Sequence, residues 1–205
     1  EFYARGCEVH LNQKVKNIAD IKEDAIILAS ASAVQNFEEL KWLNIENVRG
    51  QVSKINATEK TKNLKCHLLY GGYLSAAHEG THVMGSTFEK WVEHTDVTDK
   101  NHQQNINNLQ ENIPSLKDEV FTASAGRAGM RAATNDRFPV IGEVPDTDNV
   151  YVSAAFGSHG IVGSIAGAHY LADMLRNGPK SLSQNTVNAL KPQRFLDRAK
   201  KRGQL

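Results

Sequence analysis

Long apolar runs, cysteine pairs and an excess of one charge are all missing from this chain of 205 residues. No apolar run approaches the roughly 20 residues that a membrane-spanning helix needs. Cys7 and Cys66 are the only cysteines, so neither a disulfide framework nor a metal-binding cysteine pattern is present. The 24 Lys and Arg residues nearly balance the 23 Asp and Glu residues, so no global field attracts the chain to nucleic acid or membrane. These absences predict a soluble, reduced, cytoplasmic protein.

Two further absences concern the start of the chain and its histidines. The sequence begins at Glu1 with no methionine and no lead-in, so we expect it to be a fragment of a longer protein. No signal peptide is visible. The eight histidines show no metal-ligand spacing. We therefore expect no metal site.

The most informative stretch that is present runs from Ser153 to Pro179. A strand-like run, Val150 to Ala155, meets a turn containing Gly157 and Gly160, which opens into a helix that ends at residues 177–179 (Asn-Gly-Pro). The start of such a helix presents bare backbone N–H groups and the positive end of the helix dipole. A phosphate, a carboxylate or the electron-rich edge of a cofactor ring would suit this place. The alternative is an ordinary joint between a strand and a helix.

Apolar patterning predicts a chain that mixes α/β and antiparallel elements. Residues 25–29 form a continuous apolar run, as in a strand buried on both faces. A helix is predicted over 99–113, with Thr98 or Asp99 as its N-cap and Pro114 as its stop, and one or two short helices over 183–205. The other predicted strands cover residues 7–11, 15–19, 48–55, 66–70, 73–76, 81–88, 119–123, 130–133 and 150–155.

The order of these elements predicts two lobes, with the chain crossing between them twice. Residues 1–46 would form part of an α/β lobe and residues 47–133 an antiparallel-rich lobe that includes the helix over 99–113. Residues 134–205 would return to the α/β lobe and add the C-terminal helices. Clefts between lobes are preferred ligand sites.

The segment from Gly129 to Gly142 indicates a family. It resembles the Gly-x-Arg-x-x-Thr-x-Asp-x-x-Pro-x-Ile-Gly segment of the D-amino-acid oxidase-like (DAO) flavoproteins, which include glycine and sarcosine oxidases. Val152 to Leu175 resembles the terminal flavin-binding strand and helix of the same family. The resemblance implies a two-lobe flavoprotein of mixed α+β and α/β class. Residues 1–46 and 134–205 would belong to its FAD-binding lobe, and residues 47–133 to its substrate-binding lobe.

Within this family, the chain resembles the FAD-dependent module of the bifunctional bacterial enzymes that modify the wobble uridine of tRNA. The segments that carry this resemblance are Gly50–Ser53, Gly72–Leu74, Arg131–Gly142, Ala154–Gly160 and Ala189–Arg194. Three segments, Asn47–Ile55, Gly72–Ala76 and Met84–Phe88, resemble substrate-lobe strands of the wider family. It implies FAD-dependent oxidation of the carboxymethylaminomethyl group of the (2-thio)uridine to the aminomethyl form. The implied partners are tRNA and a methyltransferase domain of the same full-length chain, with no membrane partner.

One departure from the family concerns its first FAD-binding element. The family begins with a Rossmann βαβ unit whose Gly-x-Gly-x-x-Gly turn cradles the ADP part of FAD, and this sequence contains no such motif. We therefore expect FAD binding by these residues alone to be weak or absent. In sarcosine oxidases a cysteine that tethers the flavin lies near the position of Arg131 here. Its absence argues for noncovalent FAD.

The resemblance assigns Arg131 and Tyr73 to the substrate. The family's glycine oxidases place a carboxylate-binding arginine at the position of Arg131, where a guanidinium can grip the glycyl carboxylate with two hydrogen bonds. The alternative is an ion pair between Arg131 and Asp136. Tyr73 matches a tyrosine of the substrate lobe and is expected to contact the substrate or to pack in the core. Arg49 and Gln51 lie on a strand expected to approach the cleft.

The resemblance also assigns residues to the cofactor. A backbone contact with the adenine is implied for Val15, although a core strand position explains a valine equally well. The residues expected against the flavin pyrimidine ring are Gly157, Ser158, His159, Gly160, Ile161 and Val162. Their backbone N–H groups would stabilise charge that develops on the reduced ring. A specific role for the His159 side chain and a simple turn position are equally consistent with the sequence.

A basic tail and two other functions remain to be weighed. Clustered cations can hold tRNA phosphates, although a solvated basic C-terminus is commoner. The tail carries Lys191, Arg194, Arg198, Lys200, Lys201 and Arg202. One alternative function is a stand-alone amine oxidase for glycine- or sarcosine-like amino acids. The other is a non-catalytic fragment that serves only as a substrate-lobe binding module.

Overall fold

The computed structural model of the chain describes residues 3–179 and 181–203. Its strands are β1 (Ile26–Leu28), β2 (Ile45–Asn56), β3 (Leu68–Leu69), β4 (Tyr73–Leu74), β5 (Thr81–Gly85), β6 (Glu89–Lys90), β7 (Ala123–Thr134), β8 (Val140–Glu143) and β9 (Val150–Ala154). Its α-helices are α1 (Asp99–Asn112), α2 (Gly160–Leu175), α3 (Gln184–Leu190) and α4 (Gln193–Lys201). Short 3₁₀ helices lie at Tyr3–Arg5, Ile18–Asp20, Ala31–Asn36, Glu38–Leu40, Pro114–Leu116 and Gly157–His159.

Two compact units divide the chain. Unit 1 comprises residues 1–45, 138–155 and 159–205, and unit 2 comprises residues 46–137 and 156–158. The chain thus leaves unit 1, builds unit 2 and returns. The lobe boundaries expected from the sequence, at 46/47 and 133/134, remain predictions about domains.

Unit 1 is built on a three-stranded sheet with the order β1-β9-β8. β1 pairs with β9 in parallel, from Ile26 opposite Val150 to Leu28 opposite Val152, and β8 pairs with β9 antiparallel. β9 is buried at Val150, Tyr151, Val152 and Ala154, as expected for an apolar central strand covered on both faces. Helix α2 also belongs to this unit, and its C-terminal half contains the buried residues Tyr170 and Leu171.

Unit 2 is built on a six-stranded sheet in which β3-β4-β5-β2-β6 follow one another and β7 pairs with β2. Its antiparallel ladders include Val52 opposite Gly85 and Arg49 opposite Glu89. One core cluster lies in this unit and includes residues of β2, β4, β5 and α1. Its buried members are Ile55, Leu74, Met84, Ile106, Leu109, Leu116 and Phe121.

Helix α1 forms where capping and apolar spacing agree. The Thr98 hydroxyl accepts a hydrogen bond from the Asn101 backbone N–H, which satisfies one of the donors left open at a helix start. Ile106 and Leu109 share one helical face and are buried in the unit 2 core. Pro114 follows the helix and begins a 3₁₀ turn. The helix predicted over 99–113 and its Thr98 cap are therefore confirmed.

The mixed α+β class and the antiparallel-rich middle of the chain are confirmed, whereas three strands were wrongly predicted. Residues 7–11 and 15–17 form no strand, and residues 18–20 form a 3₁₀ turn. Residues 7–17 are exposed, and a strand needs a hydrogen-bonding neighbour that the described chain does not give them. Residues 119–122 also form no strand, because the turn after Pro114 continues through a hydrogen bond from Glu119 N–H to Leu116 O.

β7 is longer than its sequence predicted. A strand over 130–133 was expected, yet the structure has one from Ala123 to Thr134. Gly126 and Gly129 read as strand breakers, but pairing with the long strand β2 carries β7 past both of them. Gly126 leaves space that His102 fills, since a Cβ built there would lie 2.6 Å from the His102 Cε1.

Among the described residues, no helix is both long and apolar enough to cross a bilayer. The longest of these helices, α2, has 16 residues, whereas a span needs about 20.

Candidate functional site

The guanidinium of Arg131 lies directly against the backbone of Gly50. Arg131 belongs to β7 and Gly50 to β2, two strands that pair with each other. A Cβ built on Gly50 would lie 1.9 Å from Nη1 and 2.3 Å from Cζ of Arg131, so a side chain at position 50 would require the guanidinium to move. A glycine inside a strand often marks such a close approach. The missing side chain of Gly50 therefore leaves the space that the guanidinium occupies, and this space is called the seat of Arg131.

Two polar atoms of the segment after β5 hold the half-buried guanidinium in this seat. Nη2 of Arg131 donates to the Ser86 hydroxyl at 2.5 Å, and Nη1 donates to the Thr87 carbonyl at 3.4 Å. Within the described chain, no carboxylate pairs with Arg131, and Asp136 instead accepts a hydrogen bond from Thr134. The Arg131–Asp136 ion pair considered above is therefore not formed. A partly desolvated cation without an acidic partner is suited to bind an anion.

Tyr73 lies near enough to Arg131 for the two side chains to interact electrostatically. Burial raises the pKa of the Tyr73 hydroxyl, and the positive charge of Arg131 opposes this rise. Burial lowers the pKa of Arg131, because it disfavours the charged guanidinium, and the neighbouring Tyr73 opposes this decrease. Neither shift removes the charge of a guanidinium at neutral pH, because an arginine pKa lies far above 7. The structure thus brings together the two residues assigned to the substrate.

The strand that carries Arg131 also reaches the glycine-rich turn. Ala133, two residues after Arg131 on β7, forms an isolated antiparallel bridge with Phe156. A Cβ built on Gly157 would lie 3.7 Å from the Ala133 side chain, and Gly157 has a φ of +59°. That conformation favours glycine. Within unit 2, Gly157 therefore lies beside the strand that holds the candidate anion site.

The other predicted cofactor residues begin helix α2 in unit 1. The side chain of His159, the N-cap, makes no capping hydrogen bond, and the first turn contains no acidic residue. The aliphatic side chains of this end are open, with Ile161 86% and Val162 77% exposed. A helix start with the positive end of its dipole and no acidic residue, beside exposed aliphatic groups, matches the polar edge and the apolar rings of a flavin isoalloxazine. The chain therefore fits this part of FAD.

Val15 lies in a different setting from the strand expected for it. It has no regular structure, is 43% exposed, and lines an open groove of about 780 Å³ in unit 1. The groove is also lined by charged side chains such as Lys14, Lys16 and Lys22. The strand position predicted for Val15 is wrong, and its contact with an adenine remains a prediction.

Arg49 and Gln51 do not form a second anion site. Arg49 is 1% exposed, and its guanidinium contacts the Glu89 carboxylate and the Asn101 and Gln51 side chains. It also donates to the carbonyls of residues 94 and 96. Burial opposes ionisation of Glu89, but hydrogen bonds from Asn101 and Arg49 hold the pKa of its carboxyl below the usual value. Arg49 is therefore a buried structural cation with its charge already neutralised.

The basic tail is less available for phosphates than its composition indicated. Arg194 is buried and donates to the carbonyls of Leu190 and Phe138. The Lys191 ammonium lies 3.9 Å from the Asp197 carboxylate. The last turn of α4 carries the basic residues Arg198, Lys200 and Lys201. Contact between the tail and RNA remains a prediction, and it would involve the exposed residues Lys200, Lys201 and Arg202.

Three contacts of the candidate site were missed from sequence. Gly50, Ser86 and Thr87 surround Arg131, whereas the sequence placed them only within segments that resemble substrate-lobe strands and singled out none of the three. A glycine between two polar residues inside a β-rich run was the one available signal for Gly50. Ser86 and Thr87 lie in a segment that resembles a substrate-lobe strand, but the sequence does not indicate that the Ser86 hydroxyl and the Thr87 carbonyl accept from Arg131. In the described parts of the chain, no group of three His, Cys, Asp or Glu side chains is placed to hold a metal.

Comparison with known proteins adds to this geometry. A family model described as FAD dependent oxidoreductase (DAO) matches residues 1–174. The tRNA 5-methylaminomethyl-2-thiouridine biosynthesis bifunctional protein MnmC of Chromobacterium violaceum is 28% identical over 200 residues, which cover 83% of this chain and 30% of that protein. The protein of the same name from Methylobacillus flagellatus is 28% identical over 195 residues and is covered to 30%. The resemblance found from sequence motifs is confirmed, and the chain spans about 30% of the length of these relatives.

Solved structures agree on the fold. Iminodiacetate oxidase from Chelativorans sp. BNC1 matches with a TM-score of 0.68 and 20% identity, over 84% of this chain and 47% of that one. Glycine oxidase from Geobacillus kaustophilus matches with a TM-score of 0.64 and 19% identity, over 78% of this chain and 43% of that one. At these identities the likeness shows a shared fold.

Proposed function

Because the chain belongs to the family of FAD dependent oxidoreductases (DAO), we propose that it holds an amino-acid-like substrate by its carboxylate for oxidation by FAD. One observation carries this proposal. Arg131 is half-buried over Gly50 and has hydrogen-bond partners but no acidic partner within the described chain. A carboxylate would complete this site with charge-assisted hydrogen bonds, each contributing about 1.5–3 kcal/mol.

The proposed substrate is the 5-carboxymethylaminomethyl group of a wobble (2-thio)uridine in tRNA. The name of the relatives, a bifunctional protein of 5-methylaminomethyl-2-thiouridine biosynthesis in tRNA, supports this choice. The group is a glycine whose nitrogen carries the nucleoside, so it presents the carboxylate that Arg131 suits. A methyltransferase domain of the same protein and the tRNA are the proposed partners. We further propose that FAD is noncovalent and that these residues alone bind it weakly or not at all.

The reaction removes two electrons and two protons from the glycyl C–N bond. The glycyl carbon loses a hydride and the nitrogen loses a proton, which leaves an imine. Water then adds to the imine, and the products are glyoxylate and the aminomethyl uridine. When bound, FAD supplies the acceptor for the hydride.

Two groups of this chain would orient the substrate for that transfer. Arg131 fixes the carboxylate and so limits the directions in which the glycyl C–H can point. Tyr73 presents a hydroxyl that is neutral at physiological pH, as a tyrosine ordinarily is, and burial raises its pKa further. The start of α2, from Gly160 to Val162, would hold the polar edge of the isoalloxazine through the positive end of the helix dipole.

The test replaces Arg131 by lysine in the FAD-loaded protein and measures kcat/KM on tRNA that carries the carboxymethylaminomethyl group. A lysine keeps the charge but loses the planar pair of donors, so we expect a decrease of about tenfold or more. Arg127→Lys is the matched control, since Arg127 is an exposed arginine on the same strand. Equal kcat/KM values for wild type and Arg131→Lys would contradict the proposal that Arg131 binds the substrate carboxylate.

Two measurements separate the proposal from its alternatives. Turnover of free glycine or N-methylglycine at a rate that matches modified tRNA would favour a stand-alone amine oxidase. Failure to bind FAD in a titration, even with the preceding part of the protein supplied, would favour a non-catalytic binding module.

A further inference from the structure

Phe88 is an exposed aromatic residue on the segment that holds Arg131. It directly follows Ser86 and Thr87, whose oxygens accept hydrogen bonds from the Arg131 guanidinium. Its side chain is 60% exposed, so packing within the described chain does not account for an aromatic ring here. Isolated exposed apolar residues are common on protein surfaces. The position of Phe88 relative to the candidate anion site therefore decides whether the ring has a use.

Strand alternation places Phe88 on the same face of the sheet as the guanidinium. Arg49 of β2 and Glu89 of β6 are register partners with side chains in contact, so both point to one face. Phe88 lies one residue before β6, and the Thr87 N–H donates to the Gln51 carbonyl, so the antiparallel register continues and sets Phe88 opposite Gly50. Successive side chains alternate between faces. Their side-chain positions therefore point to the opposite face. That face is where the Arg131 guanidinium fills the space over Gly50.

A second contact supports this assignment of faces. Lys90 lies two residues after Phe88 and so shares its face. Its ammonium lies 3.0 Å from the carboxylate of Glu46, which is an even number of residues from Gly50 on β2. The even-numbered residues of the two strands therefore meet on one face. The Cβ atoms of directly opposed residues on antiparallel strands lie about 4.5–5.5 Å apart.

We propose that Phe88 is a specificity-determining residue whose ring stacks on the pyrimidine of the nucleoside attached to the glycyl nitrogen. This rests on the proposed function, because it takes the carboxylate to be held by Arg131. A ligand gripped there by its carboxylate extends its nitrogen substituent away from the guanidinium. A flat base fits an exposed aromatic ring, and such stacking is a common way to hold an unpaired base. A methyl substituent would gain little from the same ring.

The test compares two ligands that share the carboxylate and the secondary amine. The FAD-loaded protein is titrated with 5-carboxymethylaminomethyluridine and with N-methylglycine, and dissociation constants are measured by NMR. For Phe88→Ala we expect the nucleoside to bind about tenfold more weakly and N-methylglycine to change by less than about twofold. Phe88→Tyr keeps an aromatic ring and should keep the affinity for the nucleoside.

Trp91 provides the matched control. It is an exposed aromatic residue three positions later, 86% exposed, and it lies beyond the end of β6. Trp91→Ala should leave both dissociation constants unchanged. An equal loss of both ligands in Phe88→Ala, or no loss of either, would overturn the stacking proposal.

The outcome for the wild-type chain separates this inference from the proposed function. If N-methylglycine binds in an Arg131-dependent manner but the nucleoside binds no more tightly, the stacking proposal fails and the carboxylate site stands. If neither ligand binds, both proposals fail.

Discussion

Unit 2 contains two arginines, Arg49 and Arg131, that differ in burial and in the polar groups that they contact. Arg49 is fully buried and has a carboxylate, two side-chain oxygens and two backbone carbonyls as partners. Arg131 is half-buried and contacts one hydroxyl and one carbonyl, with no carboxylate partner in the described chain. A buried charge needs compensation. The complete set around Arg49 indicates a structural role, and the incomplete set around Arg131 indicates a place for a ligand.

The largest expected effect separates the two arginines by stability. Arg49→Met leaves the Glu89 carboxylate and several carbonyls without their partner, so we expect the free energy of unfolding to fall by about 3–5 kcal/mol. Arg131→Met removes a half-buried cation that has no ion pair, and should change it by less than about 1 kcal/mol. Urea denaturation of both variants measures the difference. An equal decrease in the free energy of unfolding of the two variants would contradict the different roles assigned to Arg49 and Arg131.

A glycine-to-alanine pair tests whether the seat of Arg131 is steric. In Gly50→Ala the new methyl group would overlap the guanidinium, which is the end of a flexible side chain and can move away. We expect little loss of stability but a weakening of carboxylate binding of about tenfold, comparable to Arg131→Lys. Gly129→Ala is the control, because nothing lies within 4 Å of a Cβ built at Gly129 on the same strand as Arg131. N-methylglycine titration should separate the two variants, and identical affinities would show that the seat is unimportant.

The smallest expected effect appears at alkaline pH beside Tyr73. Burial and the neighbouring Tyr73 raise the pKa of Tyr70 to about 12, and its hydroxyl donates to the Tyr73 carbonyl at 3.2 Å. A folded-state pKa above the unfolded value of about 10 contributes stability below pH 10 that is lost as the pH rises towards 12. Tyr70→Phe should therefore reduce the loss of stability between about pH 10 and 12. Thermal melts across this range measure it, and parallel curves for both proteins would contradict the assignment.

The sequence predicted which residue types form the site, but not the contacts that hold them in place. The Arg131 motif and the Tyr73 strand were found because family motifs preserve residue types at fixed spacing. The contacts of Gly50, Ser86 and Thr87 depend on how β2, β5 and β7 come together, which is a tertiary property. Arg49 shows the same limit, since its type and strand were compatible with a site, and only its partners mark it as structural.

The fold shows a similar division. Helix α1 was predictable because its Thr98 cap and its apolar face act locally. The strands expected over 7–11 and 15–19 were not formed, because a short apolar run becomes a strand only beside a hydrogen-bonding partner. The full length of β7 was hidden by its glycines, which pairing with β2 tolerates.

The most direct test of the central claim follows the side-chain ¹⁵Nε signal of Arg131 while N-methylglycine is added. If the guanidinium binds the carboxylate, this signal should shift in a saturable manner, and the exposed Arg127 signal should stay in place. A signal of Arg131 that remains unchanged while the ligand binds elsewhere, or while no ligand binds, would contradict the account.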